Sequence, residues 1–204
     1  MNGCGCDSVC NTAPPDPRYR RALWVALVLN ALMFFVEISA SFAAQSVSLL
    51  ADAVDFLGDA ANYGVALFVL GLAPVWRSRT ALWKGWAMVA FGVFVLGKSA
   101  WQWSAGVVPA PFIMGWVSLV ALAVNVGVAA LLYAHRTGDA QARSVWLCSR
   151  NDALGNLAVM AAAAGVWATA HGWPDIAVAL LLAGLALSSG VSVIQHAQRE
   201  LRVK

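Results

Sequence analysis

Three aspartates and an asparagine lie at helical spacing within one apolar stretch of the chain. Asp52, Asp55, Asp59 and Asn62 are three, four and three residues apart, which places them on one stripe of an α-helix. A carboxylate inside a bilayer is costly and is therefore expected to face protein or water rather than lipid. Three carboxylates on one face of one helix predict a cation-binding site.

A second polar group lies later in the chain and has the same kind of spacing. Cys148, Asp152 and Asn156 occupy positions i, i+4 and i+8, so they also share a helix face. The first two of these, together with Asp55 and Asp59, could surround one ion with four ligands from two antiparallel helices. Four-coordination by carboxylate oxygen and thiolate sulfur suits Zn²⁺, Cd²⁺ or Co²⁺ and matches Mg²⁺ and Ca²⁺ poorly. We expect the thiolate to tilt the preference toward Cd²⁺ or another thiophilic ion.

Other polar residues could support these ligands. Asp52 lies one turn from Asp55 and could orient a ligand, relay protons or pair with Arg150, which could instead reach the cytoplasmic surface. Asn30 and Glu37 share a face of the first apolar segment. We predict that Asn30 makes a hydrogen bond to a neighbouring helix. Glu37 could line an exit vestibule or could reach the membrane interface. The residues assigned to support the ligands or to line a proton pathway are Asp52, Asn62, Asn156, Glu37 and Arg150.

The same groups predict coupling to protons. Carboxylates and a thiol crowded in the middle of a membrane are not expected to be ionised together without the metal. Metal binding would then release protons, and metal release on the far side would let protons return. No prosthetic group is expected, because the ions of this site are the transported divalent metal and protons.

Composition places these residues in a membrane protein. The chain has 204 residues, of which 61% are hydrophobic and only 11% are charged, whereas soluble domains average about 25% charged residues. A spanning helix needs about 20 mostly apolar residues. The sequence therefore predicts an all-α integral membrane fold with six spans, a single membrane domain and no sizeable soluble one. The six windows are 22–43, 47–71, 82–103, 111–134, 143–169 and 175–195.

The basic residues predict the orientation of this domain. Arginines and lysines precede the first span, flank the second and fourth connections and follow the sixth span, while the other connections contain none. By the positive-inside rule both termini are cytoplasmic. We expect a flexible tail over 1–20, the six-helix domain over 21–196 and a short cytoplasmic tail over 197–204. The lipid bilayer is the expected environment, the plasma (inner) membrane if the protein is bacterial, and no cleavable signal peptide is visible.

The two polar groups also suggest an internal repeat. Asp55 and Cys148 are separated by the same number of residues as Asp59 and Asp152. Three spans per half would place the halves in opposite orientation, as in the 3+3 inverted repeats of many secondary transporters.

The N-terminal tail contains a separate candidate site. Cys4, Cys6 and Cys10 lie among Gly, Asn, Asp and Pro residues on the predicted cytoplasmic side, where thiols are reduced. A metal is therefore a better functional interpretation than a disulfide, and these cysteines are candidates for metal capture. The alternative is a disordered tail with incidental cysteines.

Two segments resemble motifs of a known family. SVSLLADAVDFLGDAANY and CSRNDALGN resemble the second-span and fifth-span motifs of the cation diffusion facilitator family. The resemblance implies six spans, metal ligands at Asp55, Asp59 and Asp152, exchange of divalent metal for protons and a homodimer. Cys148 stands where this family usually has His or Asp. The sequence also lacks a His-rich loop and ends at Lys204, so we expect a short form without the cytoplasmic C-terminal domain.

These observations rank the function classes. The sequence predicts a proton-coupled exporter of Zn²⁺ or Cd²⁺, and the alternatives are an exporter of Co²⁺, Ni²⁺, Fe²⁺ or another thiophilic ion. From a different class, a non-transporting membrane metal sensor or accessory subunit also fits. An intramembrane aspartic protease is disfavoured because the segment before Asp59 reads Asp-Phe-Leu-Gly rather than Gly-x-Gly. We therefore expect no enzymatic activity, and a net charge of +3 without a basic cluster does not suggest a nucleic-acid partner.

Overall fold

The computed structural model describes residues 17–68, 74–133 and 140–202, without the side chains of residues 68, 74–77 and 140–151. The described residues form six α-helices and short connections, with no strand among them. In chain order the helices are α1 (Pro17–Ala44), α2 (Val47–Phe68), α3 (Pro74–Ala105), α4 (Pro111–Tyr133), α5 (Ala140–Thr169) and α6 (Trp173–Arg202). The prediction of an all-α fold with six helices is confirmed.

Four of these helices are long and apolar enough to cross a membrane. They are α1, α3 from Ser78 onward, α4 and α6. Helix α2, which contains three aspartates, does not meet this test, and neither does the part of α5 whose side chains are described. These two helices carry the polar groups predicted to bind a cation. Large apolar side chains such as Trp83, Phe112 and Trp167 point outward and are more than two-thirds exposed, as lipid-facing residues are. The chain is a multi-pass integral membrane protein.

The helix ends extend beyond the predicted spans. Proline, which is preorganised for a first helical turn, begins α1 at Pro17, inside the segment predicted as a flexible tail. Helix α3 begins at Pro74, before the predicted start at 82. Helix α6 continues to Arg202, where Arg199 and Arg202 favour a helix C-terminus. A membrane helix can therefore project into water past its apolar window.

Three antiparallel pairs build the bundle: α1 with α2, α4 with α5, and α3 with α6. Helix α2 also contacts α3, α5 and α6, so it is the most central element. Because the helix with the acidic stripe is enclosed on several sides, its carboxylates face protein instead of lipid.

Close backbone contact holds α3 against α6. A Cβ atom on Gly85 would lie 2.7 Å from Cγ1 of Ile194 and 3.1 Å from the carbonyl oxygen of Gly190. A Cβ atom on Gly190 would in turn lie 3.1 Å from the carbonyl oxygen of Gly85. Small residues at such positions allow membrane helices to pack closely, which holds α3 against α6.

A tight connection joins α1 to α2. Gln45 adopts a positive φ of 52°, and the amide of Ser46 donates to the carbonyl oxygen of Ser41 at 3.0 Å. The hydroxyl of Ser46 then accepts a hydrogen bond from the amide of Leu49 at 3.1 Å, as an N-cap residue does. This turn sets where α2 begins and hence the height of its acidic stripe.

Candidate metal centre

The acidic stripe of α2 lies inside the bundle. Asp52 and Asp59 are buried, and Asp55 and Asn62 are partly buried. Asp59 interacts through its side chain with Asp152 on α5, and with Tyr63 and Asn62 on its own helix. The structure thus brings together one predicted ligand from α2 and one from α5. This contact links the two polar groups that the sequence placed on separate helices.

The rest of the predicted ligand set is only partly described. Cys148 and Arg150 lie on α5, but their side chains are outside the described part of the chain. Among the side chains that the structure does describe, no three His, Cys, Asp or Glu residues form a group that could hold a metal ion. A site with Asp55, Asp59, Cys148 and Asp152 as ligands therefore stays a prediction. The cysteines of the tail, Cys4, Cys6 and Cys10, also lie outside the described residues.

A chain of polar side chains crosses the bundle beside the acidic stripe. With its amide oriented to satisfy both neighbours, Asn156 donates to Oδ2 of Asp52 at 2.5 Å and accepts from Nδ2 of Asn125 at 2.8 Å. Asn156 is fully buried, and Asn125 and Asp52 are nearly so. This row of hydrogen-bonded side chains joins α2, α5 and α4. Buried polar groups of this kind fix the relative position of helices when each has a partner.

Glu37 of α1 lies in the interior next to this row of side chains. Its side chain is 0% exposed, and it is close enough to Asp52 and Asp55 to interact with them electrostatically. Its carboxyl group lies against that of Asp52, and among the described residues no N–H or hydroxyl group donates to it. Of the two alternatives for Glu37, a position at the membrane interface is therefore wrong. Glu37 lies in the interior with Asp52 and Asp55.

Within the described part of the chain, Asn30 does not make the predicted helix–helix hydrogen bond. Its Nδ2 donates to the carbonyl oxygen of Ala26, one turn earlier on the same helix, at 2.8 Å. An asparagine inside a helix can reach the carbonyl of the preceding turn, and this local bond replaces the expected one to a neighbouring helix.

Asp175 has a role that the sequence did not reveal. An acidic residue in the first turn of α6 reads as an ordinary N-terminal signal. In the structure its carboxylate instead accepts from the amides of Val47 and Ser48, at 2.9 and 3.0 Å, and from the hydroxyl of Ser46 at 2.7 Å. Asp175 is 0% exposed. It therefore caps the N-terminus of α2, the helix that carries the acidic stripe.

A fourth donor reaches the same carboxylate. Nε2 of Gln102 on α3 donates to Oδ2 of Asp175 at 3.2 Å. The carboxylate of Asp175 thus joins the ends of α2, α3 and α6. The only sequence signal for it is a helix-starting serine, Ser46, and nothing in the sequence indicates which acidic residue lies opposite.

Lys84 is a second residue whose role the sequence did not reveal, because its charge was used only to predict the orientation of the helices. It lies on α3, and its Nζ donates to Oδ1 of Asn62 on α2. It also lies within electrostatic range of Asp55 and Asp59. A cation of the protein itself is therefore placed against the predicted metal site.

The described structure is therefore a six-helix membrane bundle with acidic side chains buried between α2 and α5. The family model of the cation efflux transmembrane domain matches residues 23–79 and 76–201, which is most of the chain. The chain belongs to the cation efflux family, and the resemblance to cation diffusion facilitators is confirmed.

A curated bacterial protein is also similar. It is named cadmium, cobalt and zinc/H(+)-K(+) antiporter and comes from Bacillus velezensis. The two sequences are 24% identical over 188 residues, which covers 85% of this chain and 60% of the relative. The chain thus spans about three-fifths of that relative's length.

Proposed function

We propose that this chain exports divalent transition-metal ions from the cytoplasm in exchange for protons, with Zn²⁺ and Cd²⁺ as the main substrates. The observation that carries this proposal is the side-chain interaction of Asp59 on α2 with Asp152 on α5. Two acidic groups so close together inside a membrane protein favour a cation between them. Family membership and the name of the Bacillus velezensis relative support metal efflux and antiport.

The chemistry of the proposed site explains the exchange. Asp55, Asp59, Cys148 and Asp152 would bind the metal in their deprotonated forms, so binding releases protons from the site. On the far side the protons return and the metal leaves. Glu37 and Asp52 lie next to these ligands and would accept protons along the same route. An inward proton gradient then drives the metal outward.

Co²⁺ is the second candidate substrate. It accepts the same oxygen and sulfur ligands in four-coordinate geometry, and cobalt occurs in the name of the relative. The homodimer implied by the resemblance, like the cytoplasmic location of both termini, is part of this proposal.

Flux measurements test the exchange. We expect proteoliposomes containing the purified chain to move Zn²⁺ and Cd²⁺ when a pH gradient is imposed, and to stop when an ionophore collapses the gradient. Protein-free liposomes provide the background. Tight metal binding without flux of any divalent ion would contradict the proposal and favour a membrane metal sensor.

The thiolate of Cys148 is expected to set the preference for Cd²⁺. Replacing Cys148→His substitutes an imidazole nitrogen for the softer sulfur, which favours Zn²⁺. The ratio of Cd²⁺ to Zn²⁺ flux, measured in the same proteoliposomes, should fall by about tenfold, which corresponds to about 1.4 kcal/mol of differential stabilisation. Cys148→Ser, which retains size but replaces sulfur with oxygen, should lower the ratio in the same direction. An unchanged ratio in both variants would remove Cys148 from the ligand set.

A further inference from the structure

Lys84 occupies an unusual place for a lysine of a membrane helix. Lysines near the ends of such helices normally extend their ammonium groups toward the interface. The ammonium of Lys84 turns instead toward α2 and donates to Oδ1 of Asn62. Both side chains are partly buried. The hydrogen bond fixes the ammonium at the end of the acidic stripe that lies toward the α2–α3 connection.

Asn62 places this cation next to the metal site. It lies three residues after Asp59, on the same face of α2, and its side chain also interacts with Asp59. The ammonium of Lys84 is within electrostatic range of both Asp59 and Asp55. Two predicted ligands therefore already interact with a positive charge that belongs to the protein.

We propose that Lys84 is a tethered counter-cation of the metal site, held by Asn62, whose charge an arriving metal ion must overcome. The inference rests on the proposed function, because it assigns a role at the same site. The ammonium and a divalent ion attract the same carboxylates and repel each other, and in a partly buried site this repulsion is weakly screened. Lys84 thus weakens metal binding and favours release of the metal.

Most substitutions in a binding site weaken binding, whereas removal of the Lys84 charge is expected to strengthen metal binding. In the full-length purified chain, Lys84→Gln is expected to lower the Kd for Cd²⁺ by about tenfold, since one repulsive interaction is lost. Glutamine can still bond to Asn62, so a purely structural role for Lys84 predicts no such change. Lys84→Arg retains the charge and is expected to keep the wild-type Kd. Lys98→Gln, at the other end of α3, is the matched control.

Titration calorimetry with Cd²⁺ alone measures all four proteins. A Kd for Lys84→Gln that equals or exceeds the wild-type Kd would overturn the inference, and so would a Kd for Lys84→Arg as low as that of Lys84→Gln. If Lys84→Gln does not fold, Lys84→Met removes the charge, keeps the length of the side chain and leaves Asn62 in place. This variant is then expected to lower the Kd by a similar factor, and an unchanged or higher Kd would overturn the inference. Failure of the wild-type chain to bind any divalent ion would instead contradict the proposed function.

Discussion

Replacing Asp152→Asn or Asp59→Asn is expected to abolish metal transport. Each change removes a charged oxygen ligand from the point where α2 and α5 meet, and the two side chains interact directly in the structure. Loss of a residue that merely supports a metal ligand costs about 10- to 100-fold in affinity, so loss of a ligand should cost at least about 100-fold in flux. The flux of Zn²⁺ and Cd²⁺ in proteoliposomes under a pH gradient measures the loss.

The control for these variants is an acidic residue away from the contact of α2 with α5. Glu200 lies in the last turn of α6 and its side chain is about half exposed. Glu200→Gln should retain wild-type flux, and all three variants should retain the helical content and elution volume of the wild-type protein. Normal flux in Asp152→Asn or Asp59→Asn would show that the metal does not pass between α2 and α5.

Replacing Asp175→Ala is expected to destabilise the protein and to lower transport although Asp175 lies away from the ligands. The change leaves the amides of Val47 and Ser48 and the side chains of Ser46 and Gln102 without their buried acceptor. Each unsatisfied buried group costs about 1 to 3 kcal/mol, so we expect a loss of at least about 4 kcal/mol in unfolding free energy. For a chain of this size that corresponds to a decrease of roughly 8 °C or more in Tm.

A thermal melt in detergent, together with the flux assay, measures both effects of Asp175→Ala. Ser188→Ala is the matched control, because Ser188 lies on α6, is exposed and donates to the carbonyl oxygen of Leu185 on its own helix. Asp175→Asn keeps the size and one acceptor and should fall between the wild type and the alanine variant. A Tm for Asp175→Ala equal to that of Ser188→Ala would show that the cap does not hold α2 in place.

Spacing within a helix was the information that the sequence carried best. Asp55 and Asp59 on α2, and Asp152 on α5, could be placed on helix faces because residues four apart lie on one side of any α-helix. The approach of Asp59 to Asp152 followed from the cost of exposing either carboxylate to lipid. The apolar windows likewise predicted six helices.

The sequence did not predict contacts between helices that are far apart along the chain. The sequence shows that Asp175 begins a helix, but its donors on α2 are more than 120 residues away. Lys84 could be read as a topology signal because positive charges near helix ends usually are. Its bond to Asn62 depends on how α3 packs on α2, which helical spacing along the sequence does not reveal. Asn30 was misassigned because a local bond to Ala26 competes with one across helices.

X-ray absorption spectroscopy of the Cd²⁺-loaded protein tests most directly whether α2 and α5 hold the metal. With Asp55, Asp59, Cys148 and Asp152 as ligands, the spectrum should show a shell of oxygen atoms and one sulfur atom at the metal. Cys148→Ser should lose the sulfur contribution, and Asp152→Asn should lose bound metal. A sulfur signal that is unchanged in Cys148→Ser, together with full metal occupancy in Asp152→Asn, would contradict the account and place the metal elsewhere in the chain.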